Sequence, residues 1–87
     1  MKYMSTWTIR PENMKAAIER FKQTGGAPPA GVKILGRWYE MGTGHGFTLS
    51  ESDDPVAVAR AGIEWADLID EKIVPVIEDA QIAAALG

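Results

Sequence analysis

At 87 residues, the chain has room for one domain, and its nine basic against twelve acidic side chains leave a formal charge of -3 with no basic stripe of the kind that tracks a nucleic-acid backbone. The absence of cysteine excludes disulfides, thiolate nucleophiles and thiolate zinc sites, so the core must hold by packing alone. Hydrophobic residues make up 46% of the chain, as in globular proteins, yet a chain this short buries a smaller fraction of its surface than a typical domain, and a partner chain would offset that shortfall.

Residues 2 to 9 alternate with period two and form the first expected strand. Pro11 and Glu12 then suit the first turn of a helix, one lacking an N–H that would have no partner there, the other placing negative charge at the positive end of the helix dipole. Met14, Ala17, Ile18 and Phe21 follow at helical spacing and make an apolar stripe that needs a sheet to cover. Thr24 to Gly31, with its glycines and paired prolines, is a loop.

Val32 to Glu40 and Gly46 to Ser52 read as two strands of a hairpin. Between them, Gly42-Thr-Gly-His-Gly46 leads into a strand rather than a helix, which favours a glycine turn over a phosphate cradle. Asp53-Asp54 before Pro55 reads as a helix cap rather than a metal-binding pair, and the helix it opens is expected to run to about Leu68, with Asp67, Asp70 and Glu71 at its solvated end. Gly62 costs that helix about 1 kcal/mol relative to alanine, which suggests a close approach of its backbone to the sheet. Residues 72 to 78 form a last strand, placed at an edge by Pro75, and residues 79 to 87 form a short helical tail with Asp79 as its cap.

The order strand, helix, strand, strand, helix, strand is that of an α+β, ferredoxin-like βαββαβ domain over residues 1 to 87: a four-stranded antiparallel sheet with both helices on one face and the first and third strands central. Simple alternation sorts the strand residues into two sets. Tyr3, Trp7, Ile9, Ile34, Trp38, Phe47 and Leu49 form the drier set and are expected under the helices. Met4, Thr6, Thr8, Leu35, Arg37, Tyr39, Thr48 and Ser50 form the other, an amphipathic surface suited to a homodimer interface enclosing a pocket.

On that surface Thr6, Arg37, Tyr39, Thr48 and Ser50 are the candidate ligand-binding residues, with Arg37 fixing an acidic or carbonyl group unless it is paired with Glu40, Glu51 or a partner residue. Tyr39 and His45 are the candidate proton-transfer groups should the protein be an enzyme. A lone histidine without cysteine does not make a ligand set, so no metal or cofactor is expected. Trp7, Trp38 and Trp65 could frame an aromatic box, although large rings in a small protein more often build its core. With no apolar run long enough to span a bilayer and no apolar signal region, neither a membrane nor a nucleic acid is an expected partner, and a cytoplasmic location is.

Met1-Lys-Tyr-Met4, the Gly-Ala-Pro-Pro-Ala-Gly loop, Gly36-Arg-Trp38, Gly46-Phe47, Glu51 with Asp53-Asp54, Trp65-Ala-Asp-Leu68 and Pro75-Val76 together resemble the family known as domain of unknown function 3303, over nearly the whole chain. The resemblance implies a ferredoxin-like fold, with similarity to the dimeric α/β-barrel superfamily, in which two sheets pack face to face and the space between them can hold a small organic ligand or haem. Where that family often has histidine after Gly36-Arg-Trp38, this chain has Tyr39. The expectation is therefore a homodimeric domain binding a small organic molecule between sheet faces, with a cofactor-independent monooxygenase- or isomerase-like enzyme and a ligand-free dimerisation module as the alternatives.

Overall fold

The computed structural model describes residues 1–87. Strands β1 (Lys2–Ile9), β2 (Lys33–Tyr39), β3 (His45–Glu51) and β4 (Ile69–Val76) make one antiparallel sheet in the order β2-β3-β1-β4. A single turn of 3-10 helix, Pro11–Asn13, leads into α1 (Met14–Thr24); α2 (Pro55–Trp65) joins β3 to β4, and α3 (Asp79–Leu86) follows β4. This is the expected α+β, ferredoxin-like arrangement, with β1 and β3 central and Pro75 on the edge strand β4, where its missing N–H breaks no ladder. No helix is long and apolar enough to cross a membrane.

Local chemistry sets most boundaries. Gly25 ends α1 in the left-handed conformation, its N–H returning to the Phe21 carbonyl. Asp54 caps α2 through a bond from the Val56 N–H at 3.0 Å. The hairpin turn takes positive φ at Gly42 and Gly44, with Glu40 N–H donating to the His45 carbonyl at 2.9 Å, so the glycine stretch is a turn.

Three boundaries differ from the expectation. The α2 helix stops at Trp65 and β4 begins at Ile69, so Asp70 and Glu71 belong to a strand rather than to a helix end. The cause is tertiary: no glycine closes α2, and side chains from elsewhere bind the carbonyls around its end. Arg20 donates to Glu64 O, Arg10 to Ala66 O and Asp67 O, and Asn13 to Asp67 O and Leu68 O. Arg20 also grips the Asp67 carboxylate with two nitrogens at 2.7 and 2.8 Å, locking α1 to the end of α2. At α3 the cap is Glu78, not Asp79: Glu78 and Gln81 form a reciprocal capping box, and Lys2 pairs with the same Glu78 carboxylate. Thus α3 is tied at its N-terminus, and none of its residues is buried.

The largest correction concerns the two faces of the sheet. A bulge between Ile34 and Gly36 inserts one residue into β2, so Ile34 shares a face with Arg37 and Tyr39 instead of with Trp38. On β3 the register pairs Trp7 with Gly46 and Ser5 with Thr48, which brings Thr48 and Ser50 to the Trp7 side and turns Phe47 and Leu49 away. The helix-covered face consequently mixes Trp7 and Ile34 with hydroxyls and a guanidinium. The open face carries Met4, Trp38, Phe47, Leu49 and Val74, with Trp38 55% and Phe47 40% exposed.

Under the helices the packing is sparse. Trp7, Ala17, Ala57, Val58 and Leu68 are the buried apolar residues, while Ile18, Phe21 and Ile63 remain exposed. Much of the α1 stripe and of the expected α2 face is therefore not pressed against the sheet. What separates helices from sheet is a cleft.

Candidate functional site: a cleft between sheet and helices

The cleft measures about 130 Å3. Its floor is the sheet, where Ser5 and Trp7 of β1, Thr48 and Ser50 of β3, and Glu71 and Ile73 of β4 contribute side chains. Val58, Ala61 and Trp65 of α2 form its roof, and Phe21 with the loop from Gly26 to Pro29 closes one end.

Trp7 organises the floor. Its ring lies over the backbone of Gly46, where an added Cβ would come within 2.0 Å of Cζ2, and its indole N–H donates to Thr48 Oγ1 at 3.1 Å. Tyr39 meets the same ring edge-on at 5.5 Å between centroids and meets Phe21 edge-on at 6.2 Å. The aromatic wall thus runs from the buried centre of the sheet out to the mouth, where Tyr39 is more than half exposed.

Arg37 does another job than the one expected of it. It pairs with neither Glu40 nor Glu51; its guanidinium donates to the carbonyls of Gly26 at 2.8 Å and Gly25 at 3.2 Å, and stacks over Phe21 at 5.3 Å. Two of its N–H groups thus fasten the glycine-proline loop over the cleft.

Glu71 is the residue that sequence reasoning missed. Sitting directly across from Trp7 on the edge strand, it faces the cleft and accepts a hydrogen bond from the buried Ser5 hydroxyl. Burial raises its pKa above the ordinary glutamate value, against the lowering effect of the Ser5 bond. A carboxylate in an aromatic cleft with one protein partner is chemically the most distinctive group here. The signal that could have found it was the parity of β4: extending the alternation back from Ile73 puts Glu71 on the helix side, once α2 is known to end early.

The candidate residues divide between the faces. Arg37, Tyr39, Thr48 and Ser50 come together on the cleft wall, whereas Thr6 pairs with Phe47 and Lys72 on the open face. His45 also lies on the open face, 2.7 Å from the Thr8 hydroxyl, so the two candidate proton-transfer groups, Tyr39 and His45, stand on opposite sides of the sheet. The three tryptophans do not gather into a box either: Trp7 is in the floor, Trp65 in the roof under the Arg20 guanidinium, and Trp38 on the far face over Gly36. No three metal-ligating side chains converge.

With this geometry in hand, comparison with known proteins fixes the family. The family described as a domain of unknown function (DUF3303) matches residues 1–87. The chain belongs to that family. No curated protein matches it. Among solved structures it is similar to that of Rv0793 from Mycobacterium tuberculosis, at 10% sequence identity and a TM-score of 0.51, over 91% of this chain and 96% of that one. At that identity the likeness extends to the fold, which agrees with the ferredoxin-like order of this DUF3303 chain.

Proposed function

We propose that this chain is a homodimeric binding domain whose cleft between sheet and helices takes a small organic molecule, and whose open sheet face is the surface of self-association. The observation that carries the ligand reading is the cleft itself: a concave, largely aromatic and aliphatic space with a few convergent polar groups, Ser50 and Glu71 among them, that the protein leaves partly unpaired. Its volume suits a ligand of one ring. The ligand therefore belongs on the helix side of each sheet rather than between two sheets.

Surface area supports the dimer. A compact monomer of 9.4 kDa exposes roughly 5,000 Å2, whereas this chain exposes 5924 Å2. The excess, roughly 900 Å2, is comparable to the ~800 Å2 that each partner contributes to a standard interface, with the walls of the cleft and the unburied α3 sharing in it. Trp38, Phe47, Leu49 and Met4 on the open face supply an apolar centre for such a contact, and Ile77 after β4 with Ile82 and Leu86 of α3 adds further exposed apolar surface. A second copy is the occupant that needs no further component.

Two measurements test this reading. Sedimentation equilibrium at micromolar concentration should give a dimer that Phe47→Glu converts to a folded monomer; a wild-type monomer would remove the self-association. Amide chemical shifts recorded during titration with single-ring compounds should move around Trp7, Thr48 and Ile73. Movement confined to the open face would remove the cleft as the binding site.

A further inference from the structure

The hydrogen-bonding inventory of the cleft narrows what it can hold. Arg37 is the cation on its wall, and it is already engaged by the carbonyls of Gly25 and Gly26. Two carboxylates line the same space, Glu71 from β4 and Glu64 from α2. An incoming acid would meet two carboxylates against one guanidinium that is held at the loop carbonyls, so the net charge of the wall repels it and its desolvation is poorly offset.

The Glu71 carboxyl accepts from Ser5 through Oε2 and makes no other hydrogen bond, leaving Oε1 without a protein partner on the wall of an apolar cleft. Beside it, Thr48 Oγ1 accepts the Trp7 indole N–H and so keeps its own hydroxyl proton free. The site offers a strong acceptor and a weak donor within an aromatic enclosure. Its 130 Å3 is close to the ~150 Å3 of an apolar protein cavity known to take up benzene.

We propose that the cleft selects a compact, uncharged aromatic molecule that donates a hydrogen bond from a ring hydroxyl or ring N–H to the Glu71 carboxylate, and that it rejects aromatic carboxylates. This rests on the reading of the cleft as a ligand site. Ser5 is then a positioning residue, holding one carboxyl oxygen so that the other faces the ring substituent. Protonating Glu71 weakens the site, because a charged acceptor makes the stronger bond. The other ionisable groups on the wall are Glu64 of α2 and Arg37 and Tyr39 of β2; β1 and β3 face Glu71 with hydroxyls and the Trp7 ring alone.

The test compares benzene, phenol and benzoate by amide chemical-shift titration of the wild-type protein, Glu71→Met, Glu71→Gln and Glu64→Gln. Phenol should bind about tenfold more tightly than benzene, as a charge-assisted hydrogen bond warrants, and benzoate should not bind. Glu71→Met should bring phenol down to the affinity of benzene while benzene binding is kept, and Glu71→Gln should give an intermediate affinity that no longer falls as pH is lowered. Glu64→Gln should leave the pH dependence in place. Equal binding of phenol and benzene to the wild type, a preference for benzoate, or a phenol preference that survives Glu71→Met overturns the role of Glu71 while the cleft stands. Failure of all three compounds to bind overturns the cleft reading as well.

Discussion

The Trp7 ring rests directly on Gly46 of the neighbouring strand, so closely that a Cβ on Gly46 would lie 2.0 Å from Cζ2 and 2.2 Å from Cη2. The contact fixes the β1–β3 register, holds the indole N–H against Thr48 and gives the cleft its floor. Gly46→Ala should accordingly push Trp7 off its seat and cost about 1–3 kcal/mol, the range for overpacking a well-fitted site. Denaturant unfolding followed by tryptophan fluorescence measures it, and an unchanged midpoint would show that Trp7 moves aside freely.

Gly62 behaves oppositely. A close approach to the sheet would explain a glycine in the middle of α2, yet an added Cβ would meet only Ile73 Cδ1 at 3.4 Å, an ordinary contact. Gly62→Ala should therefore stabilise the protein by up to about 1 kcal/mol through helix propensity alone. A lower thermal midpoint for the variant would mean that the Ile73 contact is tighter than it looks.

Two carboxylates give stability opposite dependences on pH. Burial raises the Glu71 pKa above 4.5, so the folded state binds this proton more tightly than the unfolded chain does; its contribution is greatest below that value and is lost as pH rises through the raised folded pKa. The Arg20 guanidinium lowers the Asp67 pKa below 3.8, so that contribution is present above 3.8 and is lost as pH falls through the lowered folded pKa. Glu71→Gln should raise the unfolding midpoint at neutral pH, with the gain vanishing in acid, whereas Asp67→Asn should lower it at neutral pH, with the loss vanishing at still lower pH. Parallel midpoint profiles for the two variants would contradict both assignments.

Arg37 ties the loop at Gly25 and Gly26 to β2 while stacking on Phe21. Arg37→Met keeps much of the packing and removes both carbonyl bonds. Hydrogen exchange should then speed up at the amides of the glycine-proline loop and leave β1 and β3 protected. Exchange that stays unchanged in the loop would show that its prolines, not Arg37, hold it in place.

The chain order of alternation, breaker and helical stripe was enough to write down the ferredoxin-like order and the central and edge strands, because those depend on residues near one another in sequence: Asp54 before Pro55, glycines at 42 and 44, Pro75 in a strand. Which face each strand turns to the helices was not legible in the same way. Strict alternation placed Phe47 with Trp7 and Arg37 with Thr6, but the β1–β3 register, which seats Trp7 on Gly46, reversed both, and one bulged residue near Leu35 carried Ile34 over to the side of Arg37. Side-chain parity flips with a single inserted residue, and a strand cannot record in its own sequence the register its neighbour will choose.

The position of Glu71 was hidden for a related reason. The end of α2 is set by Arg10, Asn13 and Arg20, residues more than forty positions away, which bind the carbonyls where a glycine would otherwise have marked the stop. Short-range chemistry thus determined the elements and their order. The cleft, its carboxylate and the commitment of Arg37 to a loop were decided only when distant segments met, since a hydrogen bond between remote residues leaves no periodic trace along the chain.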